Sequence, residues 1–385
     1  MSIKAVAHLA HQRITSESGP SFKRSHVYEL IAAAFGYGSS AALTVEAVLF
    51  VGDKPVAQEQ RRSCIAALIA RCRELAYSAG ESELIASRLW DVLSEYRIEI
   101  VRLEVLVRSL RQQFHDDSAG EAEDDGPDGL DLNMPWIGLE LSEGGDPADV
   151  AILLESLKAA AGRDVVLAHY ALALLHEPDL DAEQKHGPHS YWYEQRQKGT
   201  ALEGIQIEWA DAYARLVAAR RTHQHHLLAA ARLGHADALV DMARHFQDTT
   251  VFDAEVDLSN QNPRELAELA FELRLDEKAR HWLTIAAESG DTSAMRELIE
   301  GYDAADLQRS WMWLYLAALH GVDLTQDDYR AIHEDGSEYD DDVGGPSYVD
   351  GIDGIKLPPL APEAVDRALE AARELFSRRG SSPPT

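Results

Sequence analysis

The stretch Trp282-Leu-Thr-Ile-Ala-Ala-Glu-Ser-Gly-Asp-Thr-Ser-Ala-Met295 governs the reading of the whole chain, because part of it returns 31 positions later. Ala279, Trp282, Ala286, Ala287 and Gly290 become Ser310, Trp313, Ala317, Ala318 and Gly321. A period in the range of about 20–50 residues marks stacked repeat architectures, in which each unit buries its apolar side against the next. Within the unit, Trp282, Ala286 and Ala287 share one helical face before Gly290. Ala294, Leu298 and Tyr302 follow at steps of four on the face of a second helix. The glycine sits between them, where a left-handed backbone is least strained without a Cβ. Small alanines let the paired helices approach, and the tryptophan and tyrosine fill the space between adjacent hairpins.

Weaker copies keep the frame upstream. Gly234 follows Ala230 and Ala231 and precedes Ala238, Met242 and Phe246 at the same offsets. Gly162 is followed by Val166, Tyr170 and Leu174, and Ala201 by Ile205, Trp209 and Tyr213, with Tyr193 in the tryptophan slot. This spacing predicts about four complete hairpins and a last one starting near Asp306. The residues from Trp282 to Met295 and from Ala229 to Ala238 resemble the Sel1-like repeat family, a relative of the tetratricopeptide repeat, over roughly residues 148–335. The resemblance implies a TPR-like α-α superhelix that binds proteins and carries no catalytic residues.

Working outward, residues 1–20 read as a polar tail or a fraying helix. Residues 22–115 read as an N-terminal helical module. It holds two short helices broken at Gly36, Gly38 and Ser39, then a long antiparallel helix pair over 56–79 and 82–115. The apolar stripe from Leu84 to Leu106 recurs at three and four, so it suits an intramolecular neighbour or a homodimer seam. Residues 116–147 form an acidic linker, 336–360 an acidic loop, and 361–379 an amphipathic helix that caps the repeat array. The expected fold class is all-α.

The chain has 385 residues, 45% of them apolar, enough to bury a substantial core. The net charge is -30 and unevenly placed: residues 1–115 hold 14 Lys/Arg against 12 Asp/Glu, whereas 116–160 hold 13 acids and one base. An acidic body repels phosphate backbones and anionic membranes, which disfavours nucleic acid and membrane partners. Cys64 and Cys72 are too far apart along one helix for a disulfide and are expected as buried thiols. No signal-peptide core and no apolar run of about 18 residues occurs, so a cytoplasmic location is expected.

Motifs that carry chemistry are missing. Residues Ile31 to Leu43 fit a helix-turn-helix template, but the candidate recognition helix, Ser39 to Phe50, has no Arg, Lys, Asn or Gln to read bases. His223, His225 and His226 lack a carboxylate or thiol at ligand spacing. Asp340, Asp341 and Asp342 lack the alternation of a calcium loop. No catalytic, cofactor-binding or metal-ligating residues are assigned. Three aromatics are candidate partner contacts: Trp311 and Tyr315, at slots held by polar Arg280 and Thr284 one repeat earlier, which either pack under the C-terminal cap or form a binding spot, and Trp136, in an apolar segment of the acidic linker that either docks back onto the array or serves as a short binding motif. The leading expectation is a non-enzymatic scaffold for protein partners, with no cofactor. A DNA-contacting regulator and an acidic protein that neutralises a basic partner are the alternatives.

Overall fold

The computed structural model describes residues 3–18, 22–52, 58–115, 147–177, 189–333, 337, 339 and 347–380. Trp136 and the run Asp340 to Asp342 lie outside the described residues, as does nearly all of the acidic linker. Helix accounts for 70% of the described residues, against two small strand pairs, so the chain is mostly helical. It divides into two compact units, Met1–Met242 and Ala243–Thr385.

The first unit opens with α1 (Ile3–Ser18), α2 (Arg24–Ala34) and α3 (Ser40–Glu46), followed by strand β1 (Ala47–Val51). The helix α1 is no fraying tail: Val6, Ala7, Ala10 and Ile14 recur at helical spacing and are fully or almost fully buried. Next come α4 (Gln58–Glu74) and α5 (Ala79–Glu95), which pack together. Ser78 and Glu81 form a reciprocal capping box that fixes where α5 starts.

The predicted single helix over 82–115 is interrupted. α5 stops at Tyr96, Arg97 turns into the left-handed region (φ 49°), and β2 (Ile98–Arg102) follows before α6 (Leu103–His115). β2 pairs antiparallel with β1, Val51 opposite Ile98 and Ala47 opposite Arg102. β-branched residues favour an extended, half-buried backbone. Ile98 and Ile100 satisfy a period of two, and Ile100 also fits the helical stripe. β1 shortens the helix read over Ser39 to Phe50 as well: only the seven residues of α3 remain helical. The rest of the segment is a buried strand.

α7 (Pro147–Ala161) packs on β1, and the Ser156 hydroxyl donates to the Leu49 carbonyl at 3.2 Å. The compact unit therefore runs through both sides of the acidic linker and does not coincide with the segments 22–115 and 148–335. α8 (Val166–Leu175), α9 (Ser190–Gln197), α10 (Ile205–Arg232) and α11 (Ala236–Phe246) follow. α10 runs 28 residues without a break, so the segment after Ala201 and the segment before Gly234 belong to one helix.

In the second unit, α12 (Pro263–Glu272) starts at Asn262, whose side chain accepts from Arg264 N, with Pro263 in the first turn. α13 (Asp276–Glu288), α14 (Thr292–Glu297), a π-helical turn over Leu298–Tyr302 and α15 (Leu307–Leu319) form its centre. A β3–β4 hairpin (Asp328–Ile332 and Tyr348–Ile352) and α16 (Pro362–Gly380) complete it. α15 packs on α16, with Trp313, Leu316, Ala317 and Ala372 in one buried cluster. The predicted second helix of the last hairpin is absent from this place, and β3 begins instead. Among the described residues no helix is long and apolar enough to cross a membrane.

Candidate interaction site

The repeat residues meet in the second unit. At the end of α13, Gly290 N donates to Ala287 O at 3.0 Å and Asp291 N to Ala286 O at 3.1 Å. At the end of α15, Gly321 N donates to Ala318 O and Val322 N to Ala317 O, both at 3.0 Å. Both glycines have positive φ, 100° and 85°. Each end is a Schellman cap, the motif that a left-handed residue allows. In the first unit, Gly234 repeats the pattern with Ala231 and Ala230. Ala279 and Ser310 are fully buried, as are Ala286 and Ala317 to within 2%. Ala294, at the N-terminal end of the following helix, is fully buried too, and its N–H bonds the Asp291 carboxylate at 2.9 Å.

Sequence reading missed a buried acid that organises this cluster. Asp303 follows the π-helical turn and its side chain has no exposed surface. Oδ1 faces Arg280 Nη2 at 2.8 Å, and Oδ2 accepts from Trp313 Nε1 at 2.9 Å. Arg309 Nε lies 2.8 Å from Oδ2 as an ion pair without hydrogen-bond alignment, and its guanidinium stacks over Trp313. A buried charge is tolerable only when paired and hydrogen-bonded, and Asp303 is both. In the linear sequence nothing distinguishes it from an ordinary loop residue.

Trp311 and Tyr315 contact each other at 5.5 Å between ring centres, both half-buried against the cluster. Trp311 Nε1 donates to Pro358 O at 2.8 Å. These two aromatics are thus engaged with the chain's own C-terminal segment. The Arg280 slot and the Trp311 slot, one repeat apart, do the same job: each reaches forward to hold the segment that follows.

The β3–β4 hairpin carries exposed apolar side chains. Tyr329 is 53% exposed, Val349 77%, Tyr348 46% and Ile352 49%. The register puts Tyr329, Ala331 and Val349 on one face, and Ile332, Tyr348 and Ile352 on the other beside the Arg330–Asp350 pair (2.9 Å). Apolar groups are exposed on both faces, which is costly unless another molecule covers them. Between Asp327 and Asp353 the sequence holds ten acids and one base, Arg330. The base of the hairpin is anchored: Arg296 donates to Asp353 O, Gly354 N to Asp327 Oδ1, and Ile355 N to Leu324 O.

The histidines form a different cluster in the first unit. His169 Nδ1 and His226 Nδ1 are 3.0 Å apart, and His225 lies edge-on to His226. Burial, then the neighbouring imidazoles, pushes His226 down to about 4, so it is neutral near pH 7. His223 Nδ1 lies 2.9 Å from Ala173 O. No group of three or more His, Cys, Asp or Glu able to hold a metal occurs among the described residues. A second buried network joins α6, α8 and α11: Tyr170 donates to Asp241 at 2.7 Å, and Arg111 pairs with Asp237 at 2.5 Å. Burial, followed by the Asp241 charge, raises the Tyr170 hydroxyl well above its ordinary range, which suits a structural donor. Cys64 and Cys72 are free and buried, and burial pushes their thiols up to about 11 and about 12.

No family model, no curated protein and no solved structure matches the chain. The residues themselves therefore carry the functional argument.

Proposed function

We propose that the chain is a non-enzymatic protein-interaction scaffold of Sel1-like repeats whose C-terminal hairpin receives an extended, basic segment of another protein. The observation that carries this reading is the β3–β4 hairpin: an anchored sheet with exposed apolar groups on both faces, inside a strongly acidic stretch. An extended peptide adds to such a sheet through main-chain bonds, and its alternate side chains meet the exposed face. Its lysines and arginines would meet the surrounding carboxylates, which also steer the approach. The shared caps at Gly290 and Gly321, and the matched burial of Ala286 and Ala317, support the repeat reading. Acidity alone would equally serve solubility, so the apolar hairpin is what points to a bound partner.

The test is affinity purification of the full chain from its native cell, beside a Tyr329→Asp/Val349→Asp variant, with quantitative mass spectrometry. Both positions are exposed, so the fold should survive. Proteins with lysine- and arginine-rich segments should be recovered at least about tenfold less with the variant. Added salt should release them from the wild type. Equal recovery from both proteins, or a set without basic segments, overturns the proposal.

A further inference from the structure

The first unit contains a cavity that the scaffold reading leaves unused. It measures about 530 Å³ and is bounded by α1, α2, α3, β1 and α7. That volume lies in the range of pockets that hold small organic ligands, about 300–1,000 Å³. Its floor is apolar: Ile31, Leu43, Ala47 and Leu49 are all buried, and all four line it.

The polar groups around that floor divide into two sets. The acids are already engaged. Glu29 accepts from Arg71 Nη2 at 2.8 Å and from Ser40 N at 3.4 Å. Glu155 accepts from Ile3 N at 2.8 Å, which ties α1 to α7. Burial opposes the ionisation of Glu29, yet the bonds from Arg71 and Ser40 outweigh it and hold the carboxyl below its usual range. The cations are not engaged. Lys4 and Arg163 both line the cavity, and neither makes an ion pair with a described residue. The Tyr28 hydroxyl lines it as well and has no hydrogen-bond partner among the described residues.

An apolar floor, one acid paired with Arg71 and one held by a backbone amide, two unpaired cations and a free hydroxyl together fit one chemistry. A ligand needs an apolar body for the floor and an anionic end for the cations. We propose that this cavity binds a small monocarboxylate with an apolar ring or chain of about ten carbons, its body on Ile31, Leu43 and Leu49 and its carboxylate facing Lys4 and Arg163. A neutral ligand would leave both cations unused. A cationic ligand would meet them unfavourably, and of the two carboxylates Glu29 is already paired with Arg71.

The experiment is calorimetric titration of the full-length protein with 1-naphthaleneacetate and with its neutral counterpart 2-(1-naphthyl)ethanol. The wild type should bind the acid at least about tenfold more tightly than the alcohol, the scale of a charge-assisted contact. Lys4→Gln/Arg163→Gln alters two exposed side chains and should bring acid and alcohol to the same affinity, leaving the alcohol unchanged. Thr44→Trp, at a half-buried lining position, should abolish binding of both while the far-ultraviolet dichroism is retained. The proposal is overturned by the absence of acid binding up to its solubility, by equal affinities in the wild type, or by an unchanged preference for acid in the double variant. Should the tryptophan variant unfold, the charge variant decides alone. Loss of the hairpin surface would not affect this titration, so the outcome is separate from that of the scaffold reading.

Discussion

α13 and α15 grow from the same sequence pattern and finish differently. Both end in the same cap, and both bury the residue pairs Ala279/Ser310 and Ala286/Ala317. After Gly290 the chain re-enters a helix, started by Asp291. After Gly321 it makes an Asp323–Thr325 turn and then a β-hairpin. Burial diverges with it. Ala287 is fully buried while Ala318 is exposed, and Trp282 is half-buried while Trp313 is sealed. The pattern therefore specifies one helix and its stop. What lies across from that helix is set by the next segment.

The tryptophans test this most severely. Trp313→Ala removes the largest fully buried side chain among the described residues and deprives Asp303 of a donor, so it should cost about 3–5 kcal/mol. Trp282→Ala, at the matching position, should cost about 1–2 kcal/mol. Urea unfolding of the full chain, followed by circular dichroism, measures both. Equal losses would break the distinction between the two copies.

The paired alanines come next. Ala287→Leu forces a larger side chain into a sealed site and should cost about 1–3 kcal/mol. Ala318→Leu points the same side chain at solvent and should stay within about 0.5 kcal/mol of the wild type. A large loss at Ala318 would mean that a further element covers the end of α15.

These contrasts show what the sequence made legible. The stops at Gly290 and Gly321 and the C-terminal helix from Pro362 follow from local rules, and these appear where those rules put them. The hairpin was partly legible too. At the offsets of Ala294, Leu298 and Tyr302 the last copy carries Thr325, Tyr329 and His333, which is no apolar helical face. The recurring first half of the unit masks this failing second half. β1 and β2 were not legible. A short β-branched run at the edge of a helical stripe satisfies both periods, and the partners of Ile98 and Arg102 are Val51 and Ala47, on the far side of two helices. The His169–His226 contact joins residues 57 apart, and the buried Asp303 depends on Arg280 and Trp313 from two different helices. Non-local partners leave no mark at any one position. The cavity above β1 was hidden for the same reason, since it exists only once α7 has closed over the strand.

The glycines give the smallest difference between the copies and the sharpest comparison, because there the two should agree. Gly290→Ala and Gly321→Ala each place a Cβ on a left-handed backbone, with φ of 100° and 85°, at about 1–2 kcal/mol. At Gly321 nothing lies within 4 Å of the added Cβ, so the loss there is backbone strain alone. Asparagine tolerates this conformation better than alanine, so Gly321→Asn should recover part of the loss. Equal losses at the two glycines, beside unequal losses at the tryptophans and alanines, would establish that the repeat encodes its own termination and leaves its covering to the segment that follows. A loss at Gly290 well above that at Gly321 would instead tie the cap to the helix after it, and the hairpin would then be the cause of the second copy's weaker stop.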